Sequence, residues 1–341
     1  MTRRRVALLG LGMAVAPHAQ SLLDLSDRVE VAAAYSRSPQ RLAAFAKKFP
    51  FPTTSDLDAI IADPTITAAL VLTPPWSHLD VVRRLAAAGK HVLLEKPVEA
   101  TTERAAAAVE AAAAAGVTLA IVLQHRFREA SETLARRIAE GALGRIAAAS
   151  VAVRWWRPQS YYDEPGRGTL ARDGGGVLLT QAIHTLDLFL SLAGPVAEVA
   201  AFSGTTPLHR METEDIVGAA LRFGNGALGT LDATTASYPG FPERMEIVGD
   251  KATAVLSGGG LELYHQDGRR ETAGGVQATG GGADPMAFSH EAHRAVLADF
   301  LAAIDERREP RVSGRAALAV HRLIDALLDS ARQGRSVAVE S

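Results

Sequence analysis

The sequence predicts an α/β chain: an N-terminal Rossmann-type, doubly wound parallel sheet, followed by a C-terminal α+β domain built on a large, mostly antiparallel open sheet. Three observations predict it. From residue 1 to about 122, short apolar strands alternate with helical stretches, a pattern that buries a parallel sheet under helices on both faces. Near the start, Val6-Ala7-Leu8-Leu9 runs into Gly10-Leu11-Gly12 and the helix-compatible Met13-Ala14-Val15-Ala16, the strand, tight turn and helix of a dinucleotide-binding βαβ unit. After about residue 145 the texture changes to longer β-rich stretches separated by hairpin turns. With 341 residues the chain is long enough for two ordinary domains, expected at 1–122 and 123–341.

In the first turn, Gly10 permits the sharp bend. Gly12 leaves room for a pyrophosphate to reach N–H groups at the helix start, where the helix dipole favours negative charge. Met13 and Ala14 lie in the same turn and join the cofactor-contact candidates, while the third glycine position holds Val15. Two glycines alone equally serve a plain turn. Further strands are expected at 29–34, 68–72, 91–94 and 117–122. A helix is expected from Thr102 to Ala115, with threonine at its start, Glu103 in its first turn and Gly116 just past its end. In the second part, Asn225-Gly226 and Asp267-Gly268 mark hairpins. The glycine-rich stretch 272–287 reads as a mobile loop, and helices at 289–307 and 314–333 close the chain. One face of the second sheet is expected to carry helices and the other to be open to a partner subunit.

Composition narrows the function classes. A net charge of −2 offers no basic excess to nucleic acid or an anionic membrane, and no apolar stretch is expected to reach membrane-spanning length. The absence of cysteine excludes disulfides, thiolate chemistry and cysteine-ligated zinc or iron–sulfur clusters. The expected partner is a small molecule. Arg3-Arg4-Arg5 before an apolar run and Ala14-Val15-Ala16 have the outline of a signal peptide. Cleavage there would delete the first strand, so a retained N-terminus and a cytoplasmic location are expected.

The chemistry concentrates at the carboxyl ends of the predicted strands, the edge where open α/β sheets bind ligands. After the second strand stands Tyr35-Ser36-Arg37-Ser38. An arginine among small hydroxyl residues, with no strand-end carboxylate for the ribose hydroxyls, suits a 2′-phosphate and favours NADP over NAD, although a strand-end arginine also occurs as a solvated surface charge. After the third strand comes Thr73-Pro74-Pro75-Trp76-Ser77-His78, and after the fourth Glu95-Lys96-Pro97. A lysine in such a crevice is lowered in pKa by desolvation and then exchanges a proton with a substrate hydroxyl. The simpler alternative is a surface lysine before a helix-starting proline. Farther on, Gly174-Gly175-Gly176 precedes a leucine-rich helix on which Thr180, His184, Asp187 and Ser191 fall at i, i+4, i+7 and i+11, a polar stripe that needs a polar partner. One histidine and one aspartate make an incomplete ligand set, so no metal is expected.

Taken together, these segments resemble the glucose–fructose oxidoreductase/inositol dehydrogenase (Gfo/Idh/MocA) family of NAD(P)-dependent oxidoreductases over nearly the full chain. The resemblance rests on Gly10-x-Gly12 with His18, Thr73-Pro74 with His78, Glu95-Lys96-Pro97, Arg126 entering the second domain, and the glycine run with His184 and Asp187. It implies a cofactor along the first domain, with Gln124 and Trp76 among its contacts. It also implies a sugar or polyol substrate between the domains, and dimers or tetramers joined through the open sheet. Carried over by position, Lys96 would contact the reacting hydroxyl and His184 would act as general acid/base. Arg126, Trp156, Tyr162, Thr180, Gln181 and Asp187 would line the substrate site, with Trp155, Arg157 and Tyr161 in the same wall segment. Many members place aspartate four residues before the histidine, where this chain has Thr180. The implied activity is reversible oxidation of a secondary alcohol on a sugar, polyol or related cyclic compound. The alternatives are an NAD-dependent glycoside hydrolase working through transient oxidation and a non-catalytic cofactor-binding sensor.

Overall fold

The computed structural model describes residues 3–275, 280–282 and 288–340. The chain divides into two units, one formed by 1–124 with 289–318 and the other by 125–288 with 319–341. The helical segment after residue 288 thus returns to the first unit, where the sequence reading kept everything beyond 122 in the second. Amphipathicity identifies a helix that must pack but not its partner, so this return was not visible in the pattern.

In the first unit the elements run β1 (Arg4–Leu9), α1 (Val15–Asp24), β2 (Val29–Tyr35), α2 (Pro39–Ala46), β3 (Thr53–Thr54), α3 (Leu57–Ala62), β4 (Ala68–Val71), α4 (His78–Ala87), β5 (His91–Leu94), α5 (Thr102–Ala114) and β6 (Leu119–Ile121). The six strands form one parallel sheet in the order β3-β2-β1-β4-β5-β6. The order reverses direction beside β1, which places the switch-point crevice at its carboxyl end. Val6 to Leu9, Ala68 to Val71 and Val92 to Leu94 are all buried, because helices cover both faces of the sheet. Thr101 caps α5 by accepting from the Arg104 amide.

The second unit contains α6 (Glu129–Ala139), β7 (Ile146–Arg154), α7 (Gln159–Tyr162), α8 (Leu170–Asp173), α9 (Ile183–Ala193), β8 (Val196–Gly204), β9 (Ile216–Phe223), β10 (Leu228–Thr234), β11 (Arg244–Gly249), β12 (Ala252–Ser257), β13 (Gly260–His265) and β14 (Arg270–Gly274). The chain ends with α10 (Glu291–Glu306) in the first unit, α11 (Gly314–Gln333), which begins in the first unit and continues into the second, and β15 (Val337–Ala338). The second sheet has nine strands in the order β14-β13-β12-β11-β7-β10-β9-β8-β15, antiparallel throughout except where β7 pairs with β10. Both hairpins fall at the expected asparagine–glycine and aspartate–glycine turns. The strands alternate: Ala149, Val151, Val153, Val217 and Leu221 point to the core, whereas the other face bears Phe202, which is 84% exposed, with Ile216 and Leu228.

Two expectations change here. Residues 270–274 are the strand β14, so the stretch expected as a loop from 272 begins in regular structure. Its parts 276–279 and 283–287 lie outside the described residues. Second, Leu170–Ala193 is a helical stretch of 24 residues holding an 18-residue window of mean hydropathy 1.4, long and apolar enough by composition to cross a membrane, although 83% of that window is buried within the protein. The charged residues Arg172 and Asp173 and the three glycines hid this length in the sequence.

Candidate active site

In the first unit, Gly10 adopts φ +104°. A Cβ there would lie 2.7 Å from the Leu72 carbonyl group, so any other residue would clash with the backbone just past β4. The amide of Gly10 donates to Tyr35 O at 2.9 Å, tying the turn to the end of β2. Helix α1 starts with no side-chain cap, which leaves its first N–H groups for a ligand. Gln124, at the far end of the unit, is buried, and its Oε1 has no hydrogen-bond partner among the described residues. The glycine cradle, the uncapped helix start and this unsatisfied buried acceptor fit a dinucleotide cofactor. At the end of β2, Ser36 Oγ accepts from the Ser38 amide at 3.2 Å and Ser38 caps α2, while Arg37 is exposed. The Arg41 guanidinium sits 3.9 Å from the place a Cβ would occupy at Gly12. Sequence reasoning missed this second cation beside the phosphate turn. Its position one helical turn past Ser38 was the available signal.

The turn bearing Lys96 is held from two sides. Glu95 Oε1 lies 2.7 Å from His18 Nε2, and Glu95 Oε2 accepts from the Lys96 amide at 3.0 Å. His293, returned to this unit by α10, meets the His18 ring edge-on at 5.1 Å. Burial pushes the Glu95 carboxyl up. The hydrogen bond from His18, with the nearby charges of His18, Lys96 and His293, more than reverses this and holds it below the ordinary glutamate value. His18, Glu95 and His293 place one ligand atom each within 4.8 Å of one another, but the 2.7 Å contact is a hydrogen bond that already accounts for the arrangement. On the other side, buried His78 bridges the two turns. Its Nε2 lies 2.7 Å from Thr73 O, and its Nδ1 lies 3.1 and 3.2 Å from Pro97 O and Val98 O. Desolvation lowers its pKa more than these carbonyls raise it. Thr73 Oγ1 receives the Ser77 hydroxyl at 2.9 Å, whereas Pro74, Trp76 and Met13 are exposed. Lys96 is half-buried. It stands at the strand end between these two anchored sides.

In the second unit the glycine run leads into a π-helical turn, Leu178–Ala182, before α9. A Cβ on Gly176 would lie 2.0 Å from Glu214 O, so glycine is needed where the helix start crosses the strand-preceding loop. The π turn breaks the expected regular stripe. Thr180 Oγ1 donates back to Gly176 O at 2.7 Å, and Ser191 is exposed and bonds to Leu188 O. Gln181 takes the inward place instead: its Oε1 accepts from Arg157 at 2.9 Å and its Nε2 donates to Tyr161 Oη at 2.9 Å. Asp187 is also not an open substrate ligand. Both of its oxygens are engaged by Arg126, at 2.7 and 2.6 Å, and it is 1% exposed. Burial pushes its carboxyl above the ordinary aspartate value despite the opposing pull of Arg126. Tyr162, expected in the pocket wall, is buried with its hydroxyl 2.7 Å from Thr235 Oγ1, and burial raises its pKa. Trp156 is half-buried, tilted over His209 and edge-on to Tyr238.

His184 is buried on α9 and stacks on His125, with ring centroids 5.1 Å apart at 29°. His125 was missed because it lies between two residues singled out for other reasons, Gln124 and Arg126. Arg157 was named only as part of the wall. It is fully buried, donates to Gly280 O at 2.8 Å and to Gly282 O, and lies over the Trp155 and Tyr161 rings.

Models of one family match both parts of the chain, the NAD-binding Rossmann-fold domain of the GFO/IDH/MocA oxidoreductases over residues 4–123 and their C-terminal domain over residues 131–255. The chain belongs to the GFO/IDH/MocA oxidoreductase family. This GFO/IDH/MocA protein is 27% identical over 353 residues to D-apiose dehydrogenase of Paraburkholderia graminis, covering 99% of this chain and 90% of that one. To myo-inositol 2-dehydrogenase of Thermotoga maritima it is 26% identical, over 72% and 73% of the two chains. Among solved structures, the WlbA dehydrogenase of Bordetella pertussis in complex with NADH and UDP-GlcNAcA superposes with a TM-score of 0.85 at 29% identity, covering 100% of both chains. Levoglucosan dehydrogenase with NADH and levoglucosan gives 0.88 at 24% identity, a likeness of fold. Like other GFO/IDH/MocA members, this chain is an NAD-binding oxidoreductase with a parallel nucleotide-binding sheet and a second, mostly antiparallel one.

Proposed function

We propose that this oxidoreductase reversibly oxidises a secondary alcohol of a sugar, polyol or related cyclic compound. The observation that carries the proposal is the setting of Lys96, half-buried at the end of β5 in a turn fixed by Glu95–His18 on one side and His78 on the other. The nicotinamide, when bound, supplies the hydride acceptor. Lys96 would hold the reacting hydroxyl, and His184, whose imidazole ordinarily titrates near neutrality, would take up or return the alcohol proton. Trp156 and Gln181, the latter held by Arg157 and Tyr161, would line the substrate site. Relatives named for apiose, myo-inositol and a UDP-sugar ligand support a polyhydroxylated substrate. A screen of sugars, inositols and sugar nucleotides with both nicotinamide cofactors tests it. Substrate-dependent NAD(P)H formation is expected, and glycoside cleavage without net cofactor turnover would replace the dehydrogenase with the hydrolase reading.

The same proposal includes a preference for NADP, supported by Arg37, Arg41, Ser36 and Ser38 around the end of β2. Titration with both cofactors at physiological salt should show tighter NADP binding. Arg37→Ala should then weaken NADP about tenfold while leaving NAD unchanged, as befits one lost charge-assisted phosphate contact. Equal or tighter NAD binding in the unaltered protein overturns the assignment. We further propose a homodimer or homotetramer through the open sheet face, supported by exposed Phe202, Ile216 and Leu228 and tested by light scattering of the protein and Phe202→Glu. A cytoplasmic location belongs to the same proposal, with β1 a central strand of the folded first sheet. Cell fractionation tests the location.

A further inference from the structure

The stacked histidines of the second unit carry a proton assignment that follows from donor chemistry. Arg128 Nη2 lies 2.7 Å from His125 Nε2. A guanidinium has only donors to offer, so this imidazole nitrogen must accept. The one ring proton of His125 therefore sits on Nδ1, which faces Thr185 Oγ1 at 3.4 Å. Arg128 cannot turn away at low cost, because its other terminal nitrogen pairs with Glu243 and both partners are largely buried. A second proton on His125 would set N–H against N–H beside an existing cation. His125 is thus fixed as a neutral imidazole, with its face against the His184 ring at 5.1 Å.

We propose that His125 is a positioning residue for His184: Arg128 locks it as the neutral Nδ1–H tautomer, and its ring fixes the plane of His184 without adding charge, leaving His184 to carry the proton. This rests on the reading of His184 as the acid/base group. The physical need is plain, since two imidazolium rings at this separation repel, and a charged His125 would lower the pKa of its neighbour by on the order of one pH unit or more. The other charged groups around the pair belong to the elements packed against α9. Arg128 and Glu243 stand on the His125 side, the Arg126–Asp187 pair is next along α9, and Glu214 meets the helix start at the Leu178 amide. The first two set the state of His125. The Arg126–Asp187 pair is bidentate and balances its own charge.

The test reads the ring nitrogens directly. In the full-length protein labelled with ¹⁵N-histidine, long-range ¹H–¹⁵N spectra across about pH 5 to 8.5, the range in which imidazoles titrate, should show His125 as the Nδ1–H tautomer without a titration step and His184 titrating. His125→Gln exchanges one neutral group for another and should leave the His184 midpoint within about 0.3 pH units. Arg128→Met should let His125 titrate, lowering the His184 midpoint by on the order of one pH unit and moving the pH profile of kcat/KM with it. An Nε2–H or doubly protonated His125 in the unaltered protein overturns the proposal, as does a rise of about one pH unit at His184 in His125→Gln. Neither measurement requires Arg128→Met to fold. The two readings fail separately: near-normal turnover of His184→Asn removes the acid/base role, whereas the spectra alone decide the state of His125.

Discussion

The two units hold their functional side chains in different ways. In the first, neighbouring residues and backbone do most of the pinning: Glu95 accepts from the adjacent Lys96 amide, His78 bridges carbonyls of two strand-end turns, and Ser38 caps its own helix, although the Glu95–His18 pair is long-range. In the second, side chains are pinned by other side chains far along the chain: Arg126 by Asp187, Arg157 by Gln181, and Arg128 by Glu243. Backbone pinning tolerates side-chain change elsewhere, because main-chain carbonyls do not mutate. Pairing of side chains makes each partner depend on the other. The first unit can therefore keep one cofactor-binding geometry while the second varies in what it recognises.

Four substitutions sharpen or break this contrast. Lys96→Ala should lower turnover about 10²- to 10⁴-fold, the range for a lost proton-transfer group, with melting temperature and cofactor affinity nearly unchanged, because Glu95, His18 and His78 hold the turn. An unchanged rate would remove Lys96 from the chemistry. His184→Asn should lower turnover by about 10²-fold or more and erase one limb of the pH profile with little change in melting temperature. A large stability loss with normal turnover of the folded fraction would make it a packing residue.

Asp187→Asn should cost about 3 kcal/mol of stability, because it strands the buried end of Arg126. The double variant Arg126→Met with Asp187→Leu should recover most of that in chemical denaturation. A loss under about 1 kcal/mol in the single variant would place the pair among weak surface bridges. The smallest effect is expected for Glu95→Gln. Glu95 has its folded-state pKa below the ordinary glutamate value. Its stabilising contribution is therefore present at neutral pH and is lost as pH falls through that lowered value. Denaturation series across the acid range should show a shallower acid loss in Glu95→Gln than in the unaltered protein, and parallel curves would contradict the charged state of Glu95.

The same contrast explains what was legible in the sequence. The strand ends at Gly10, Thr73 and Glu95 were readable because their geometry is dictated within a few residues. The asparagine–glycine and aspartate–glycine hairpins were readable because turn type depends on two positions. The π turn at Leu178–Ala182 was not, since an ordinary helical period put Thr180 on a regular polar stripe, whereas its hydroxyl donates back to Gly176 O and Gln181 meets Arg157 and Tyr161. Asp187 and Tyr162 were expected to line the substrate site, but their partners, Arg126 and Thr235, lie 61 and 73 residues away in sequence, and no periodicity encodes such a pairing. His293 escaped for the same reason, because only the fold brings it to its neighbour His18.

The return of α10 to the first unit has a consequence for how this protein is made. Residues 1–124 leave the ribosome early, yet His293 and the helix packed against α1 arrive only after a further stretch that includes nearly all of the second sheet. During synthesis the nucleotide-binding sheet must wait, with one flank uncovered, for a distant part of the same chain, so its completion is governed by long loop closure instead of by local assembly. A chain whose synthesis has passed residue 95 but not residue 293 holds both Glu95 and His18 yet lacks their third partner, His293.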